Sequence, residues 1–270
     1  MNNKYGTLYG VGVGPGAPDL LTLRAVDIIR NADIICIPQK DKYSCRAYQI
    51  AEEAVPEISE KECACFDFKM TRDEEELRRI HADAYRRIKN LLTGGRTAAF
   101  LMIGDPSVYS SFSYIAKLAA DDQAKKAEAK KAEAKEADVK MVEGEEAEDG
   151  CDASDTRIKV INVSGISSYH EIAARLGISL CEGDEELHIG TGNGNIEELL
   201  ALPGTKVIMK CGKITGVIRE CLRNIGKYRD ITVYGVADCG LPDEKVYYGL
   251  EELPDSSDYM TTIIVKEKSR

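Results

Sequence analysis

Short apolar runs alternate with amphipathic segments along the first two thirds of the chain. Unbroken runs of apolar residues are typical of strands buried on both faces, and apolar residues that recur every three or four positions are typical of helices. The pattern predicts five strands separated by helices, beginning at Gly6, Asp33, Glu62, Thr97 and Arg157. Because strands that alternate with helices form parallel sheets, we expect a five-stranded, mostly parallel α/β domain.

The last third of the chain has a different pattern. Strands at 187–190 and 206–211 are each followed by an amphipathic helix, and three further strands then follow without helices at 231–237, 245–248 and 259–266. Close succession of strands favours antiparallel pairing. We therefore predict two α/β domains, residues 1–166 and residues 167–270, the second with a mixed or antiparallel sheet. A cleft between such domains is where small-molecule sites tend to lie.

Residues 121–155 interrupt the pattern. The pentapeptide KAEAK occurs twice in succession at 126–135, and the segment has 13 Asp and Glu against 6 Lys. Such repeats are helical but solvated, and the acidic stretch 143–152 has the composition of a disordered segment. We interpret 121–155 as a surface insertion without a catalytic role. The alternative is a docking arm for a partner.

Composition narrows the class of protein. The net charge is −10, which argues against a nucleic-acid partner. No apolar run is long enough to cross a membrane and the first residues lack a signal-peptide pattern, so we expect a cytoplasmic protein. The nine cysteines form no disulfide or zinc framework. Most are expected to be small buried residues and no metal is expected, although Cys63 and Cys65 are an alternative metal-binding pair.

The segment 97–118 is a candidate functional site. A buried strand, 98–103, ends abruptly at Gly104-Asp105-Pro106, and a helix is predicted over 107–118. Ligands of open α/β sheets bind at the carboxyl ends of strands, where Asp105 places a carboxylate. Asp105 is therefore a candidate ligand-binding residue, or else it only caps the helix.

A second glycine-rich loop follows the first strand. Gly12, Gly14 and Ala17 fit the dinucleotide pattern G-x-G-x-x-A, and Asp19 is a candidate N-cap for a helix over 20–31. Pro15 and Pro18 interrupt this loop where a dinucleotide phosphate needs free N–H groups. The second strand also ends in 38–40, Pro-Gln-Lys, without the acid that binds a ribose. These departures count against a nicotinamide site.

Four blocks in order resemble the tetrapyrrole methylases. They are LYGVGVGPGAPDLLTLRA, LMIGDPSVYSSFSY, VSGISSYHEIAARLG and VIMKCGK. Within the family, YSSFSY and the ending DYMTTIIVK are most similar to the enzymes that methylate precorrin-2 or cobalt-factor II at C-20 in cobalamin biosynthesis. The chain departs from the family at Ser164, where proline is usual, and at Cys211, where methionine is frequent.

The resemblance implies S-adenosylmethionine as methyl donor, with S-adenosylhomocysteine as product, and a homodimer. By position it assigns donor-binding residues at Pro15, Ile103, Gly104, Asp105, Val108, Ser167, Ser168, Cys211, Tyr234, Val236, Thr261 and Thr262. Tyr109 is the candidate catalytic residue, near the transferred methyl group or the departing proton. The alternative is that Tyr109 only packs under its loop.

The implied tetrapyrrole carries several carboxylates, so its site needs cations. The candidate substrate-binding residues are Gly14, Lys40, Arg46, Arg72 and Lys213, although each cation is also compatible with an ordinary surface charge. Two rival functions remain, a nicotinamide oxidoreductase and a non-catalytic carrier of cobalt or a tetrapyrrole. Another methylation in the same pathway also remains open, as does whether the substrate already holds cobalt.

Overall fold

The computed structural model describes residues 6–69, 71, 73–143, 158–227 and 229–267, and for 129–143 it describes the backbone only. The chain divides into two compact units. The first contains the chain up to Val13 together with Leu21–Gly165, and the second contains Gly14–Leu20 together with the chain from Ile166. The sequence placed a single boundary near residue 166. The structure differs because the glycine-rich loop after the first strand groups with the second unit.

The first unit is built on a five-stranded sheet. Its strands are β1 (Gly6–Gly12), β2 (Ile34–Ile37), β3 (Glu62–Cys65), β4 (Thr97–Met102) and β5 (Ile158–Val163). The spatial order is β3-β2-β4-β1-β5, and every neighbouring pair is parallel. The predicted parallel α/β sheet is confirmed.

Four helices connect these strands, α1 (Leu23–Asn31), α2 (Arg46–Ala54), α3 (Glu74–Leu91) and α4 (Phe112–Glu143). Phe100 of β4 is fully buried against Phe112 of α4, with ring centroids 5.7 Å apart. Ile88 of α3 and Leu8 of β1 belong to the same apolar cluster. Removal of these side chains from water is the main stabilisation of this unit.

Two predicted helix starts are wrong. Asp19 lies in a 3₁₀ turn, and α1 begins only at Leu23, because the Thr22 hydroxyl accepts a hydrogen bond from Ala25 N at 3.1 Å and caps the helix. The helix predicted from Ser107 begins instead at Phe112. Six residues after Asp105 therefore form an irregular loop.

The start of the predicted insertion also needs correction. The Asp122 carboxylate accepts hydrogen bonds from Tyr85 Oη at 3.0 Å and Lys89 Nζ at 2.9 Å, both on α3. Gln123 Nε2 donates to Ile158 O at 2.6 Å. These contacts attach the first residues of the segment to the packed unit. Residues 144–155, which include all of the predicted acidic stretch except Glu143, lie outside the described residues.

The second unit contains a mixed sheet. Its strands are β6 (Leu187–Thr191), β7 (Thr205–Met209), β8 (Ile231–Ala237), β9 (Lys245–Tyr248) and β10 (Thr262–Glu267). In the order β6-β7-β10-β8-β9, only β6 and β7 pair in parallel, and the remaining three pairs are antiparallel. The predicted mixed sheet is confirmed.

Three helices belong to this unit, α5 (Ser168–Leu176), α6 (Ile196–Ala201) and α7 (Thr215–Ile225). Ile218 and Leu222 of α7 are fully buried with Ile208 and Ile263 of the sheet. Because β10 runs opposite to both β7 and β8, the strands β6, β7 and β8 end at the edge where β10 begins. This edge holds most of the candidate residues of the unit.

Candidate functional site

The carboxyl edge of the first sheet has the geometry of a ligand-binding switch point. The neighbours β1 and β4 lead to β2 and β5, and these connections run in opposite directions across the sheet. In open parallel sheets, ligands bind in the crevice outside the strand ends at such a point. The Gly104-Asp105 turn follows β4 directly and lies at this edge.

Three glycines bring the loops after β1, β4 and β5 into backbone contact. A Cβ atom at Gly12 would lie 2.7 Å from Gly165 N and would also overlap Gly104 O. A Cβ atom at Gly165 would lie 2.8 Å from Gly12 Cα. Gly104 itself has a φ of 74°, which favours glycine. The edge is therefore close-packed main chain, with its peptide groups near the surface that a ligand would meet.

The Asp105 carboxylate holds two of these loops together. Its Oδ1 accepts hydrogen bonds from Ser107 N at 2.8 Å and from the Ser107 hydroxyl, and its Oδ2 accepts from Gly165 N at 3.0 Å. Neither sequence interpretation included this contact with Gly165. The helix-cap alternative is wrong, because α4 begins at Phe112. Asp105 joins the loops after β4 and β5, and its half-buried side chain remains at the ligand edge.

The other candidates of this loop follow the same turn. Ile103 and Val108 are half-buried, and Val108 lies outside the helix on which it was predicted. Tyr109 is 47% exposed and has a φ of 46°. A left-handed conformation is unfavourable for a bulky residue and is found mostly at functional sites and tight loops. The exposed side chain argues against the alternative that Tyr109 only packs under the loop.

In the second unit, the structure brings several predicted donor-binding residues to one edge and one face of the sheet. Thr262 pairs with Val236, and the Ser168 hydroxyl lies 3.3 Å from the Thr262 hydroxyl. Tyr234 is two residues further along β8, on the same face as Val236. Ser167 immediately precedes α5 and is buried.

Cys211 and Thr261 extend this edge beyond the strands. Cys211 N donates to Thr261 O at 3.0 Å, and the Cys211 thiol lies 3.4 Å from the same oxygen. Both residues are fully buried, and burial raises the pKa of the Cys211 thiol to about 12. Cys211 is therefore a neutral side chain that orders the loop after β7.

The glycine-rich loop has its own supports within the second unit. A Cβ atom at Gly16 would lie 2.7 Å from Gly240 C and would overlap Cys239 O. Gly14 has a φ of 78°, and its Cβ would lie 3.1 Å from Leu20 O. Pro15 is buried between these two glycines. Gly14 is required for its backbone conformation, whatever ligand lies nearby.

The loop after β8 that contacts Gly16 is itself fixed by an ion pair. Arg175 of α5 donates from Nη1 to both Glu244 oxygens, at 3.0 and 3.1 Å, and Glu244 accepts a hydrogen bond from Gly240 N. The Arg175 Nε also donates to Glu171 at 2.6 Å. No role was predicted for these charges.

The predicted cationic residues are distributed over both units. Lys40 and Arg46 follow β2, both are exposed, and Lys40 Nζ lies 3.6 Å from Asp67. Lys213 is exposed after β7. Arg72 lies outside the described residues.

Two further residues of the second sheet were not among the predicted site residues. Lys210 and Asp238 follow β7 and β8 directly, and both are left-handed, with φ of 53° and 50°. Asp238 is 2% exposed, and burial lowers the pKa of Lys210. No signal in the sequence marks these positions, because a left-handed lysine or aspartate follows no composition rule. Both strands end at the edge that holds Cys211 and Thr262.

The sequence profile of the tetrapyrrole (corrin/porphyrin) methylases matches residues 7–129 and 144–254. The chain belongs to this family of methyltransferases. The gap in the match falls within residues 121–155, which the sequence analysis interpreted as an insertion.

Two relatives of this tetrapyrrole methylase match it over nearly the whole chain. A protein of Methanocaldococcus jannaschii named "Probable cobalt-precorrin-2 C(20)-methyltransferase" is 31% identical over 100% of both chains. The "Precorrin-2 C(20)-methyltransferase" of Sinorhizobium sp is 26% identical over 96% of this chain and 95% of its own.

Solved structures share the fold of this tetrapyrrole methylase. A cobalt precorrin-4 methyltransferase superposes with a TM-score of 0.62 at 16% identity and covers 96% of this chain and 94% of its own. The Thermus thermophilus uroporphyrin-III C-methyltransferase, solved with S-adenosylhomocysteine, gives a TM-score of 0.59 at 16% identity and 97% coverage of both chains.

The geometry of this methylase disagrees with a nicotinamide site. A dinucleotide turn leads directly into a helix whose first N–H groups bind phosphate. Here α1 begins eleven residues after Gly12, and Ala25 N at its start already donates a hydrogen bond to the Thr22 hydroxyl. The loop therefore lacks the helix terminus that the oxidoreductase interpretation requires.

The described residues contain no group of three or more His, Cys, Asp or Glu arranged to hold a metal. Burial, and then the neighbouring Cys65, raise the pKa of Cys63 to about 12, which opposes the thiolate form that binds metals. Within the same residues no helix has the length and hydropathy to cross a membrane.

Proposed function

We propose that this methylase transfers a methyl group from S-adenosylmethionine to C-20 of precorrin-2 or of cobalt-factor II, in cobalamin biosynthesis. The observation that carries the proposal is the 31% identity, over the full length of both chains, with the M. jannaschii protein named for this reaction on cobalt-precorrin-2. The relative from Sinorhizobium is named for the same position on precorrin-2.

The residues proposed for the donor form two sets that fit its chemistry. In the first unit they are Ile103, Gly104, Asp105 and Val108; in the second unit they are Pro15, Ser167, Ser168, Cys211, Tyr234, Val236, Thr261 and Thr262. Close-packed peptide groups, a carboxylate and hydroxyls suit a ligand with a ribose, an ammonium group and a carboxylate. The donor supplies an electrophilic methyl group and leaves as a thioether.

Positioning is the main contribution that we propose for the protein. Displacement at a methyl carbon needs the nucleophilic carbon held in line behind it, and orientation alone lowers such a barrier by several kcal/mol. The meso carbon of a reduced tetrapyrrole is electron-rich, so the reaction needs no protein nucleophile. The hydrogen bond from Gly165 N to Asp105 Oδ2, 3.0 Å long, joins the loops after β4 and β5. Loops held in this way are proposed to keep the donor and the nucleophilic carbon aligned.

Tyr109 is proposed to lie beside the reacting carbon. Methylation of a meso C–H carbon releases its proton when the conjugated system is restored. The left-handed backbone of Tyr109 presents a half-exposed phenol from the loop after β4. The phenol oxygen can relay that proton to water, because it can accept the proton while its own O–H proton leaves. Tyr109→Phe tests this role, with lower kcat at unchanged donor affinity as the expected result.

The tetrapyrrole carboxylates are proposed to bind Lys40, Arg46, Arg72 and Lys213, with Gly14 leaving space for the ring. Among these, Lys40, Arg46 and Lys213 are exposed cations, which suits a polycarboxylate although the protein as a whole is acidic. The protein is also proposed to act as a homodimer in the cytoplasm, and analytical ultracentrifugation tests its assembly.

Mass spectrometry of the products tests the reaction itself. The protein is incubated with methyl-labelled donor and either precorrin-2 or cobalt-factor II, and the labelled carbon is located by NMR. Label at C-20 is expected. Label at another carbon would identify a different methylation of the same pathway, and no label with either substrate would contradict the proposal.

A further inference from the structure

The loop after β2 presents an exposed aromatic side chain. Tyr43 is 79% exposed, and among the large apolar side chains of the described residues only that of Leu23 is more exposed. A tyrosine ring offers a large flat surface that gains free energy when a planar ligand covers it. The order of this loop and its place in the sheet decide whether that surface serves a ligand.

Side-chain hydrogen bonds hold the backbone of the loop. The Asp41 Oδ1 accepts from Tyr43 N at 3.0 Å and from Ser44 N at 2.9 Å, and its Oδ2 accepts from the Ser44 hydroxyl at 2.7 Å. From α2, Gln49 Nε2 donates to Tyr43 O at 2.5 Å. The peptide groups on both sides of the Tyr43 side chain are bound in this way, so a ligand that covers the ring has little backbone left to order.

The loop lies beside the candidate ligand edge of the first sheet. Strand β2 is the direct neighbour of β4, and Cys36 pairs with Phe100 in a parallel register. Because the two strands run in the same direction, β2 ends beside the last residues of β4. The loop after β2 therefore starts at the same edge as the Gly104-Asp105 turn, within the same unit.

Lys42 supplies a cation next to the exposed ring. Its Nζ lies 5.5 Å from the ring centroid of Tyr43 and 5.5 Å from that of Tyr48, which is buried. Both distances are within the range of a cation–π interaction. Lys42 is half-buried, and these two contacts order its side chain together with the Tyr43 ring.

The Lys42 ammonium has no carboxylate partner in the described part of the chain. Lys89 and Lys206, which are also partly or fully buried, each bind a carboxylate oxygen at 2.9 Å. Burial raises the pKa of the Cys63 thiol near Lys42 to about 12, so this neighbour is neutral. A carboxylate on a ligand would give Lys42 the ion pair that the other two lysines already have.

We propose that Tyr43 and Lys42 are substrate-binding residues: the Tyr43 ring stacks on a pyrrole ring of the tetrapyrrole, and Lys42 binds one of its carboxylates. This inference rests on the proposed methyltransferase function. A reduced tetrapyrrole carries flat pyrrole rings and several acetate and propionate groups, so one ligand offers both partners. Segment 40–46 has three basic residues and one acidic residue, although the protein has a net charge of −10. Such a segment suits a polyanion better than a donor with a cationic sulfonium.

The test measures binding by three variants and one control, all in the whole chain. Tyr43→Leu removes the ring and keeps an apolar side chain, Tyr43→Phe keeps the ring, and Lys42→Met removes the charge. Lys159→Met is the control, since Lys159 is an exposed lysine near the amino end of β5 in the same sheet. Absorbance titration measures the affinity for cobalt-factor II at several salt concentrations. Calorimetry measures the affinity for S-adenosylhomocysteine, and urea unfolding checks the fold.

Loss of the ring is expected to weaken binding of cobalt-factor II about 3- to 10-fold in Tyr43→Leu, and Tyr43→Phe should bind as the wild type does. Lys42→Met should bind about 10-fold more weakly. Its affinity should also depend less on salt, because salt screens the ion pair that this variant lacks. The affinity for S-adenosylhomocysteine should stay constant in every variant. Because Tyr43 is exposed, Tyr43→Leu should unfold at the wild-type urea midpoint.

Two results would overturn the inference. One is a folded Tyr43→Leu or Lys42→Met protein that binds cobalt-factor II as tightly as Lys159→Met does. The other is a loss of affinity for S-adenosylhomocysteine with unchanged affinity for cobalt-factor II, which would place the nucleoside on this loop. A wild-type protein that binds cobalt-factor II and does not methylate it would contradict the proposed reaction, while the variants still decide whether these two residues bind the tetrapyrrole.

Discussion

The candidate edges of the two sheets are held in place by different interactions. At the first edge, the loops after β1, β4 and β5 meet through the backbones of Gly12, Gly104 and Gly165, and the Asp105 carboxylate joins two of them. At the second edge, backbone contacts such as Cys211 N to Thr261 O are joined by links between side chains, such as the Ser168–Thr262 and Arg175–Glu244 contacts.

This difference predicts different tolerance to substitution. Backbone contacts at van der Waals distance leave no room for a methyl group, so a change there has to separate strands that share one parallel sheet. A lost side-chain hydrogen bond can be replaced in part by water or by a neighbour. A single substitution at the first edge is therefore expected to lower the free energy of unfolding strongly. A single substitution at the second edge is expected to lower it only slightly.

Gly165→Ala should have the largest effect. The added methyl group would overlap Gly104 O and lie 2.8 Å from Gly12 Cα, and both are main-chain atoms that cannot rotate away. We expect the free energy of unfolding to fall by about 3 kcal/mol, as measured by the urea midpoint, with loss of methyl transfer.

Gly177→Ala is the matched control for that substitution. Gly177 ends α5 with a φ of 63°, and its Cβ would meet nothing within 4 Å. Its cost is conformational and should be about 1–2 kcal/mol. If both variants lost the same free energy of unfolding, crowding at the first edge would add no cost beyond the backbone conformation.

Asp105→Ala should have the next largest effect. It removes the acceptor for Gly165 N and for Ser107 N, and a lost hydrogen bond to a charged group costs about 1.5–3 kcal/mol. Stability falls for that reason, and donor affinity, measured by calorimetry with S-adenosylhomocysteine, should fall about 10- to 100-fold.

Asp105→Asn separates these two effects. One amide has a single acceptor oxygen, so it can serve either Ser107 N or Gly165 N but not both. Asn should therefore recover part of the stability. An Ala variant that is folded and binds the donor normally would restrict Asp105 to the role of joining the two loops.

Glu244→Gln tests the side-chain links of the second edge. The change weakens the contacts with Arg175 and with Gly240 N, and because both side chains are partly exposed we expect a loss of about 1 kcal/mol. Amide hydrogen exchange should rise in 238–244 and in 14–20, since Gly16 packs on Gly240. Exchange in the first sheet should not change, and an equal rise there would contradict independent support of the two edges.

The sequence predicted the sheets better than the loops, for a physical reason. Alternation of apolar runs and amphipathic segments reports burial, and burial determines strands such as β4 and helices such as α3. The Gly104-Asp105 turn was found because a glycine and an acid at the end of an apolar run are visible in the sequence. The start of α4 was predicted five residues too early, because Pro106 and Ser107 are as typical of a turn as of a first helical residue.

Long-range contacts account for what the sequence did not predict. The bond from Gly165 N to Asp105 joins residues 60 apart, and the Arg175–Glu244 pair joins residues 69 apart. The left-handed Lys210 lies between Met209 and Cys211, whose backbones bond to Gly192 N and Thr261 O, and these partners are distant in the sequence. No local pattern encodes any of these three features.

Ser168→Ala should lower the free energy of unfolding less than the substitutions of Gly165, Asp105 and Glu244. The hydroxyls of Ser168 and Thr262 lie 3.3 Å apart, which is a long distance for a hydrogen bond between two hydroxyl groups. We expect a loss of about 0.5 kcal/mol in unfolding free energy. Thr262→Val should cost about 1 kcal/mol, because Thr262 is 2% exposed and its hydroxyl would be replaced by a methyl group of similar size.

A double-mutant cycle measures the link between the two hydroxyls. If they bind each other, the Ser168→Ala/Thr262→Val protein should lose less than the two single variants together, with a coupling of about 0.5 kcal/mol. Additive losses would mean that each hydroxyl acts alone. The same three variants compared for S-adenosylhomocysteine affinity separate fold from function. A large loss of affinity beside this small loss of stability would show that the two hydroxyls serve the ligand more than the sheet.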